Sequence, residues 1–145
     1  MSLKIANSAR NQFHGKVTKL TEGMVNTEVI LDIGDGVEIT AIITNSSVKY
    51  LNLKVGVEAI AFFKASWVIL NLDKSLKTSA RNNFPGKILS AKEGAVNSEV
   101  VIQLASGQEL VAIVTNESLK SLNLQTDLEV TALVKASHVI IGIKA

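Results

Sequence analysis

The sequence predicts an all-β protein made of two small antiparallel β-barrels in tandem, each with one short helix. Residues 8–70 reappear as residues 79–141 without insertion or deletion, and about half of the aligned positions are identical. This period is longer than that of most solenoid repeats, so it indicates two copies of one domain. Within each copy, segments rich in Val, Ile and Thr alternate with turn residues, which is typical of short strands.

Five strands are predicted in the first copy, and the second copy repeats them. They are Asn11–Leu20, Val25–Ile33, Val37–Thr44, Val57–Phe63 and Trp67–Leu70. Gly34-Asp35-Gly36 separates the second strand from the third, and these residues readily adopt the positive φ angles of a tight hairpin turn. Ala105-Ser106-Gly107 occupies the same place in the second copy.

A short helix is predicted between the third and fourth strands. Asn45–Leu51 begins with residues that favour helix caps and spaces Val48 and Leu51 three apart, which indicates one or two helical turns. Asn116–Leu122 repeats this segment in the second copy. Five short strands with a helix in this position are typical of an OB-like barrel.

The repeat predicts two domains, residues 1–73 and 74–145, with the polar linker Asn71–Thr78 around the boundary. The linker has neither Pro nor Gly, so we expect the domains to be held close together. Domains this small bury little apolar surface, yet 47% of the residues are hydrophobic and only 19% are charged. We therefore expect apolar surface to be buried between the copies or between subunits, in a homo-oligomer.

Composition excludes several classes of protein. The net charge of +2 and the lack of a basic run disfavour binding to a nucleic-acid duplex. The chain has no cysteine, so disulfides and thiolate metal sites are excluded. The N-terminus lacks the apolar core of a signal peptide, and no apolar run reaches transmembrane length. We expect a cytoplasmic protein that does not interact with membranes.

No arrangement of residues indicates catalysis, so we expect a protein that is not an enzyme and has no catalytic cofactor. His14 and His138 align with Pro85 and Trp67 of the other copy, which disfavours a shared catalytic or metal-binding role. The acidic residues that both copies retain are dispersed, so we expect no metal ion coordinated directly by the protein. The glycine-rich motifs that bind nucleotide phosphates are absent.

Three segments rich in hydrogen-bond donors are retained in both copies: Ser-Ala-Arg-Asn, Thr-Asn and Lys-Ala-Ser. Hydroxyl, guanidinium, ammonium and backbone N–H groups are the groups that bind a bare oxyanion. Turn formation offers a structural explanation for any one segment, but three segments retained together favour a binding site. The candidate oxyanion-binding residues are Ser8, Ala9, Arg10, Asn11, Thr44, Lys64, Ala65 and Ser66, with Ser79, Ala80, Arg81, Asn82, Thr115, Lys135, Ala136 and Ser137.

Four motifs occur in the same order in both copies: S-A-R-N-x-F, E-G-x-V-N-x-E-V, T-N-x-S and K-A-S-x-V-I. Together they resemble the molbindin (Mop) domain, a branch of the TOBE-type OB folds. The match covers both repeats nearly end to end, so the chain resembles a tandem, di-Mop molbindin. The resemblance implies binding of molybdate or tungstate at interfaces between domains, and a trimer of two-domain chains. It also implies a second type of site at a three-fold axis, which we place near Asn26 and Asn97.

The resemblance gives each candidate segment a role. Ser8 and Arg10 would contribute hydroxyl and main-chain donors, and the Lys64-Ala65 segment would do the same from a strand end. Thr44 would reach in from a neighbouring domain. The second copy would repeat these roles at the equivalent positions, and the serine that follows each Lys-Ala pair would be an additional donor.

Molybdate fits a cage of donors because it is a fully deprotonated tetrahedral dianion at neutral pH. Phosphate retains a proton there, and a cage made only of donors leaves that proton without an acceptor, which costs about 1–3 kcal/mol. Sulfate is also deprotonated, so its smaller radius must exclude it. Molybdate and tungstate are too similar in size and charge for this argument to separate them.

The predicted function is non-catalytic binding of molybdate or tungstate for storage and homeostasis in the cytoplasm. The alternative is an OB-fold protein that binds single-stranded nucleic acid on aromatic platforms. Aromatic residues make up only 4% of the chain, and Trp67 and Tyr50 are not retained in the second copy, which disfavours this alternative. Phe13 and Phe84 are retained, but we expect them in the barrel core. A regulator or transporter would need a DNA-binding or ATPase domain, and we expect none beside the two repeats.

Overall fold

The structure, a computed structural model, describes residues 5–144, which contain ten strands and two short helices. The first copy contains β1 (Asn11–Glu22), β2 (Asn26–Gly34), β3 (Val37–Thr44), α1 (Asn45–Leu51), β4 (Glu58–Phe63) and β5 (Ile69–Asn71). The second copy contains β6 (Asn82–Glu93), β7 (Asn97–Leu104), β8 (Glu109–Thr115), α2 (Asn116–Ser121), β9 (Glu129–Val134) and β10 (Ile140–Gly142). A 3-10 turn precedes the last strand of each copy, at Ala65–Trp67 and Ala136–His138. No helix in this part of the chain is long and apolar enough to cross a membrane.

The predicted all-β fold and its two short helices are confirmed, with several bounds shifted by one or two residues and a 3-10 turn before the last strand of each copy. The sequence predicts a strand over Trp67–Leu70, but the chain first makes the 3-10 turn and the strand begins at Ile69. The Trp67 N–H donates to the Lys64 carbonyl at 3.1 Å. Because this local bond uses an amide that a strand would offer to its neighbour, the prediction was wrong at the start of this strand.

The tight turn between β2 and β3 is confirmed. Gly34, Asp35 and Gly36 have φ angles of 107°, 52° and 77°. Glycine adopts this region without a steric penalty, and aspartate is one of the few other residues that tolerates it. In the second copy Gly107, with φ 86°, has the positive angle in the equivalent turn.

The chain forms two compact units, and neither unit is one of the sequence repeats. One unit contains the residues up to Phe63 together with those from Lys135 onward, and the other contains Lys64–Val134. The first unit has a five-stranded sheet in the order β10-β4-β1-β2-β3, and the second has the order β5-β9-β6-β7-β8. The last strand of each repeat therefore belongs to the sheet of the other repeat. The domains expected at residues 1–73 and 74–145 have the bounds of the repeat. The compact units differ from them because each last strand pairs with the sheet of the other repeat.

The exchanged strands β5 and β10 are short antiparallel edge strands. Ile69 pairs with Leu133 of β9, and Ile140 pairs with Phe62 of β4. On their other sides, β9 and β4 pair with the first strand of their own repeat. Both copies have the sequence Val-Ile where the exchanged strand begins, so the side chains do not reveal which sheet each strand joins.

The core of each unit is formed by alternate residues of the strands, which point to the same face of the sheet. Phe13 stacks on Phe63 in the first unit, with ring centroids 6.0 Å apart. Phe13 and Phe84 are each 4% exposed, which confirms their predicted place in the core. Other fully buried side chains are Val17, Val29, Leu31 and Ile39 in the first unit, and Ile88, Val100, Ile102 and Leu110 in the second.

A glycine in the first strand of each copy allows close approach of a neighbouring strand. A Cβ at Gly15 would lie 2.4 Å from the carbonyl oxygen of Asp32, and a Cβ at Gly86 would lie 2.4 Å from that of Gln103. Both oxygens belong to the backbone, so a side chain could be admitted only if the strands moved apart. This steric constraint explains why both copies have glycine here.

We predict that Gly15→Ala lowers the free energy of unfolding by about 1–3 kcal/mol, the usual range for overpacking. Urea denaturation followed by circular dichroism measures the change. Gly142→Ala is the matched control, because its Cβ would lie 3.4 Å from the Phe62 ring, at the edge of ordinary van der Waals contact. Equal losses of stability in the two variants would contradict the steric argument.

Candidate functional site

Thr44 ends β3 and caps the start of α1. Its Oγ1 accepts a hydrogen bond from the Ser47 N–H at 3.1 Å and donates one to the Ser47 Oγ at 2.9 Å. Because Thr44 supplies the proton of the second bond, the Ser47 hydroxyl keeps its own proton for a different acceptor. Thr115 and Ser118 make the same two bonds, at the same distances, at the start of α2.

The asparagine that follows each capping threonine also makes hydrogen bonds that hold the start of the helix. Asn45 accepts a hydrogen bond from the buried Thr27 hydroxyl at 2.6 Å, and its amide donates to the Gly23 carbonyl at 3.0 Å. Asn116 makes the equivalent bonds in the second copy. The start of each helix is therefore tied to the turn that connects the first two strands of its repeat.

Thr44 and Ser47 line a cavity of about 380 Å³ in the first unit. Ser137, from the 3-10 turn of the second copy, also lines it, and the other lining residues are apolar apart from Tyr50. This 3-10 turn packs against β3, and β10, which follows the turn, pairs with β4 of the same unit. The structure therefore brings together two predicted ligands, Thr44 and Ser137, from different repeats.

The second unit has the corresponding arrangement with the copies reversed. Its 3-10 turn, Ala65–Trp67, packs against β8, which ends at Thr115. Ser66 of the first copy is therefore placed in the same unit as Thr115 and Ser118 of the second copy. Each unit thus combines the threonine and serine of one repeat with the Lys-Ala-Ser segment of the other.

The Lys-Ala-Ser segments begin the two 3-10 turns. In each segment the lysine and serine are exposed and the alanine is 4% exposed, so the alanine can offer a ligand only its main chain. The Nζ of Lys64 lies 5.5 Å from the centroid of the Trp67 ring, within the range of a cation–π interaction. His138 takes the place of Trp67 beside Lys135, so the two lysines have different aromatic neighbours.

Only part of each Ser-Ala-Arg-Asn segment is placed where a ligand could reach it. Ser8 and Arg10, like their counterparts in the second copy, are exposed. The Ala9 N–H is already bonded to Asn7 Oδ1 at 2.9 Å, and the Ala80 N–H is bonded to Thr78 Oγ1 at 3.2 Å. These two predicted main-chain donors are therefore engaged within the chain.

The predicted asparagine ligands Asn11 and Asn82 are buried in the sheets, at 1% and 2% exposure. The Asn82 amide donates to the Val134 carbonyl at 3.2 Å, which anchors β6 to β9. Asn11 lies opposite Phe63 in the equivalent pair of strands. Their burial explains why both copies retain asparagine here without requiring contact with a ligand.

Asn26 and Asn97, the residues placed near a second type of site, are exposed at the starts of β2 and β7. They lie directly opposite Thr44 and Thr115 in the strand pairs. The Asn26 carbonyl accepts a hydrogen bond from the Gly23 N–H at 2.8 Å. The structure therefore puts each asparagine beside a capping threonine.

Ser47 and Ser118 are not among the candidate residues predicted from the sequence. The signal was present, because both copies have serine at the third position after the capping threonine. The cap places this serine beside the threonine, although the two are not adjacent in the sequence. A comparison of contiguous segments therefore does not detect the serine.

A larger cavity, of about 640 Å³, lies in the second unit next to the linker but suits an oxyanion poorly. Asp73 and Glu129 line it, and Lys74 Nζ is 2.8 Å from Glu129 Oε2. The hydrogen bond from Lys74 lowers the pKa of Glu129, and hydrogen bonds from Ser75 lower the pKa of Asp73. Both carboxylates are therefore charged at neutral pH and repel an anion. Residues 5–144 contain no cluster of three or more His, Cys, Asp or Glu residues that could hold a metal ion.

Comparison with known proteins identifies a domain family and several relatives. The TOBE domain matches residues 7–70 and 78–141. The molybdenum transport protein ModE of Azotobacter vinelandii is 40% identical over 142 residues, which cover 98% of this chain and 53% of that protein. The molybdenum-pterin-binding protein MopA of Rhodobacter capsulatus is 38% identical over 142 residues, 97% of this chain and 54% of that protein. The chain thus spans about half the length of these curated relatives.

A solved structure has the same fold over nearly the whole chain. It is the cytoplasmic molybdate-binding protein ModG in a form with molybdate bound. The TM-score is 0.92 at 40% sequence identity, and the match covers 97% of this chain and 100% of that one. The names of these three proteins describe binding or transport, which agrees with the prediction that the chain is not an enzyme.

We predict that Thr44→Val lowers the free energy of unfolding by about 1 kcal/mol, the typical cost of losing a helix cap. Valine keeps the shape of threonine but can neither accept from the Ser47 N–H nor donate to its hydroxyl. Thr44→Ser retains the hydroxyl and is the control, and urea denaturation measures both variants. If Thr44→Val unfolds at the same urea concentration as Thr44→Ser, the cap contributes nothing to stability.

Proposed function

The chain belongs to the TOBE domain family, with two copies of the domain as in the molbindin ModG, and on this premise we propose that it binds molybdate or tungstate. One observation carries the proposal. Thr44, Ser47 and Ser137 line one cavity in the first unit, and none of its described lining residues is acidic. A ligand there meets hydroxyl donors without a competing carboxylate.

The chemistry of these donors favours a fully deprotonated anion. A threonine that gives its own proton to a serine leaves that serine able to donate, so Thr44 orients Ser47 and the Ser47 hydroxyl donates to the anion. Hydrogen bonds to an ionised acceptor are short and about twice as strong as neutral ones. Phosphate would bring a proton that needs an acceptor, and leaving it unbonded costs about 1–3 kcal/mol.

The proposed ligand groups follow the two units. In the first unit they are Ser47, which Thr44 orients, and the Lys135–Ser137 segment, and the second unit supplies the equivalents. In this proposal Ser8 and Arg10, with Ser79 and Arg81, complete sites at subunit interfaces, while Asn11 and Asn82 anchor strands. The exposed residues Asn26 and Asn97 remain our proposal for a second type of site.

We propose that the chain acts as a homotrimer in the cytoplasm, where it stores molybdate or tungstate and buffers its concentration. ModG is described as cytoplasmic, which supports the location. Val25 is 69% exposed, and Val96, its equivalent in the second copy, is 77% exposed. Exposed apolar side chains at equivalent places support contacts between subunits.

The alternative of a nucleic-acid-binding protein gains no support from the aromatic residues. Phe13 and Phe84, the aromatic residues that both copies retain, are buried and unable to stack on bases. A stacking platform needs exposed rings along one groove.

Calorimetric titration with molybdate, tungstate, sulfate and phosphate tests the proposal. We expect heat of binding from molybdate and tungstate, and much less from phosphate and sulfate at the same concentrations. Phosphate is disfavoured by its proton, and sulfate by its smaller size. Equal heats from all four anions, or none from any, would refute the proposed function.

We further predict that Lys135→Ala weakens molybdate binding about tenfold or more, as expected when a charge-assisted hydrogen bond is lost. The lysine is exposed, so the unfolding midpoint in urea should not change. Lys54→Ala is the matched control, because it removes the same charge from an exposed residue that the second copy replaces with Gln125. Equal affinities of the two variants would remove Lys135 from the proposed site.

A further inference from the structure

Tyr50 gives the cavity of the first unit a side chain that the second unit lacks. It follows Ser47 by three positions in α1, so the two side chains lie on the same face of the helix. Tyr50, Ser47 and Ser137 all line the cavity. Because Tyr50 is 89% exposed, its ring and hydroxyl are accessible to a ligand that enters there.

The equivalent residue of α2 is Ser121, which cannot take this role. Its hydroxyl lies 3.5 Å from the Ser118 carbonyl of its own helix, so it is directed back toward the backbone. A serine side chain is also too short to extend over a neighbouring ligand. The two units therefore share the threonine and serine donors but differ at this position.

We propose that Tyr50 covers the anion bound at Thr44, Ser47 and Ser137 and donates its phenolic O–H to that anion. As a result, the first unit binds molybdate more tightly than the second. This inference rests on the proposed function and assigns Tyr50 as the residue that makes the two sites unequal.

Two physical effects of Tyr50 would strengthen binding of the anion in the first unit. A phenol O–H donor adds one more hydrogen bond to a ligand that can only accept. When the aromatic ring covers the anion, it displaces water from the mouth of the cavity, and the lower effective dielectric strengthens every other hydrogen bond to the anion. The second site lacks both effects.

The chain contains a separate reporter for each unit, because it has one tyrosine and one tryptophan. Tyr50 lines the cavity of the first unit. Trp67 ends the 3-10 turn of the second unit, directly after Ser66. Nitration of tyrosine by tetranitromethane therefore follows the first site, and tryptophan fluorescence follows the second.

In the experiment, the full chain is titrated with molybdate in a calorimeter, and both reporters are measured at the same molybdate concentrations. We expect two classes of site in the wild type, of which the tighter protects Tyr50 from nitration and the weaker changes the emission of Trp67. Tyr50→Phe should weaken the tighter class about tenfold, the order expected for one hydrogen bond to a charged group. Tyr50→Ser should make the classes similar, and Ser121→Tyr should tighten the class that Trp67 reports.

Val55→Ser is the control for a general effect of the surface. It also removes an apolar side chain, 65% exposed, from the first unit, but Val55 does not line the cavity. The control should bind molybdate as the wild type does, and all variants should unfold near the wild-type urea midpoint, because the altered side chains are exposed.

The outcomes separate this inference from the proposed function. A wild-type chain that binds no molybdate overturns both. Binding that persists with unchanged classes in Tyr50→Ser, or that leaves the nitration rate of Tyr50 unchanged, overturns the inference alone. An equal loss of affinity in Val55→Ser also overturns it, because the effect would not be specific to Tyr50.

Discussion

Backbone hydrogen bonding between β10 and β4, and between β5 and β9, decides where the donor segments of this chain lie. Each exchanged strand comes directly after a Lys-Ala-Ser segment, so the sheet that the strand joins determines which unit receives that segment. In the first unit this puts Ser137 at the cavity that Thr44 lines. If each last strand paired within its own repeat, the threonine and the lysine segment of one repeat would share a unit instead.

The fold uses some of the hydrogen-bond donors itself and leaves others for a ligand. The Ala9 and Ala80 amides make hydrogen bonds within local turns, and the Asn82 side chain makes one within the sheet. Thr44 is used differently, since it satisfies the Ser47 N–H while giving its proton to the same residue. The cap thereby stabilises the helix and orients a donor with one side chain.

Local signals in the sequence predicted the local structure well. Gly34-Asp35-Gly36 and Asn45–Leu51 form the predicted turn and helix because backbone preferences act over a few residues. The strand exchange could not be predicted, since the two copies offer nearly the same strand to either sheet. The repeat also retains residues for different reasons, so it grouped buried Asn11 with exposed Arg10 among the candidate ligands. Only the structure separates residues retained for the core from those on the surface.

The exchange of strands has a consequence for how such a chain can change over generations. A mutation in the last part of one repeat alters the unit built mainly from the other repeat, so neither half can diverge independently. The single tryptophan illustrates this, because Trp67 is encoded in the first repeat but packs in the second unit. Strand exchange thus couples the two halves of the chain, while a difference between the repeats such as Tyr50 against Ser121 still gives each unit its own chemistry.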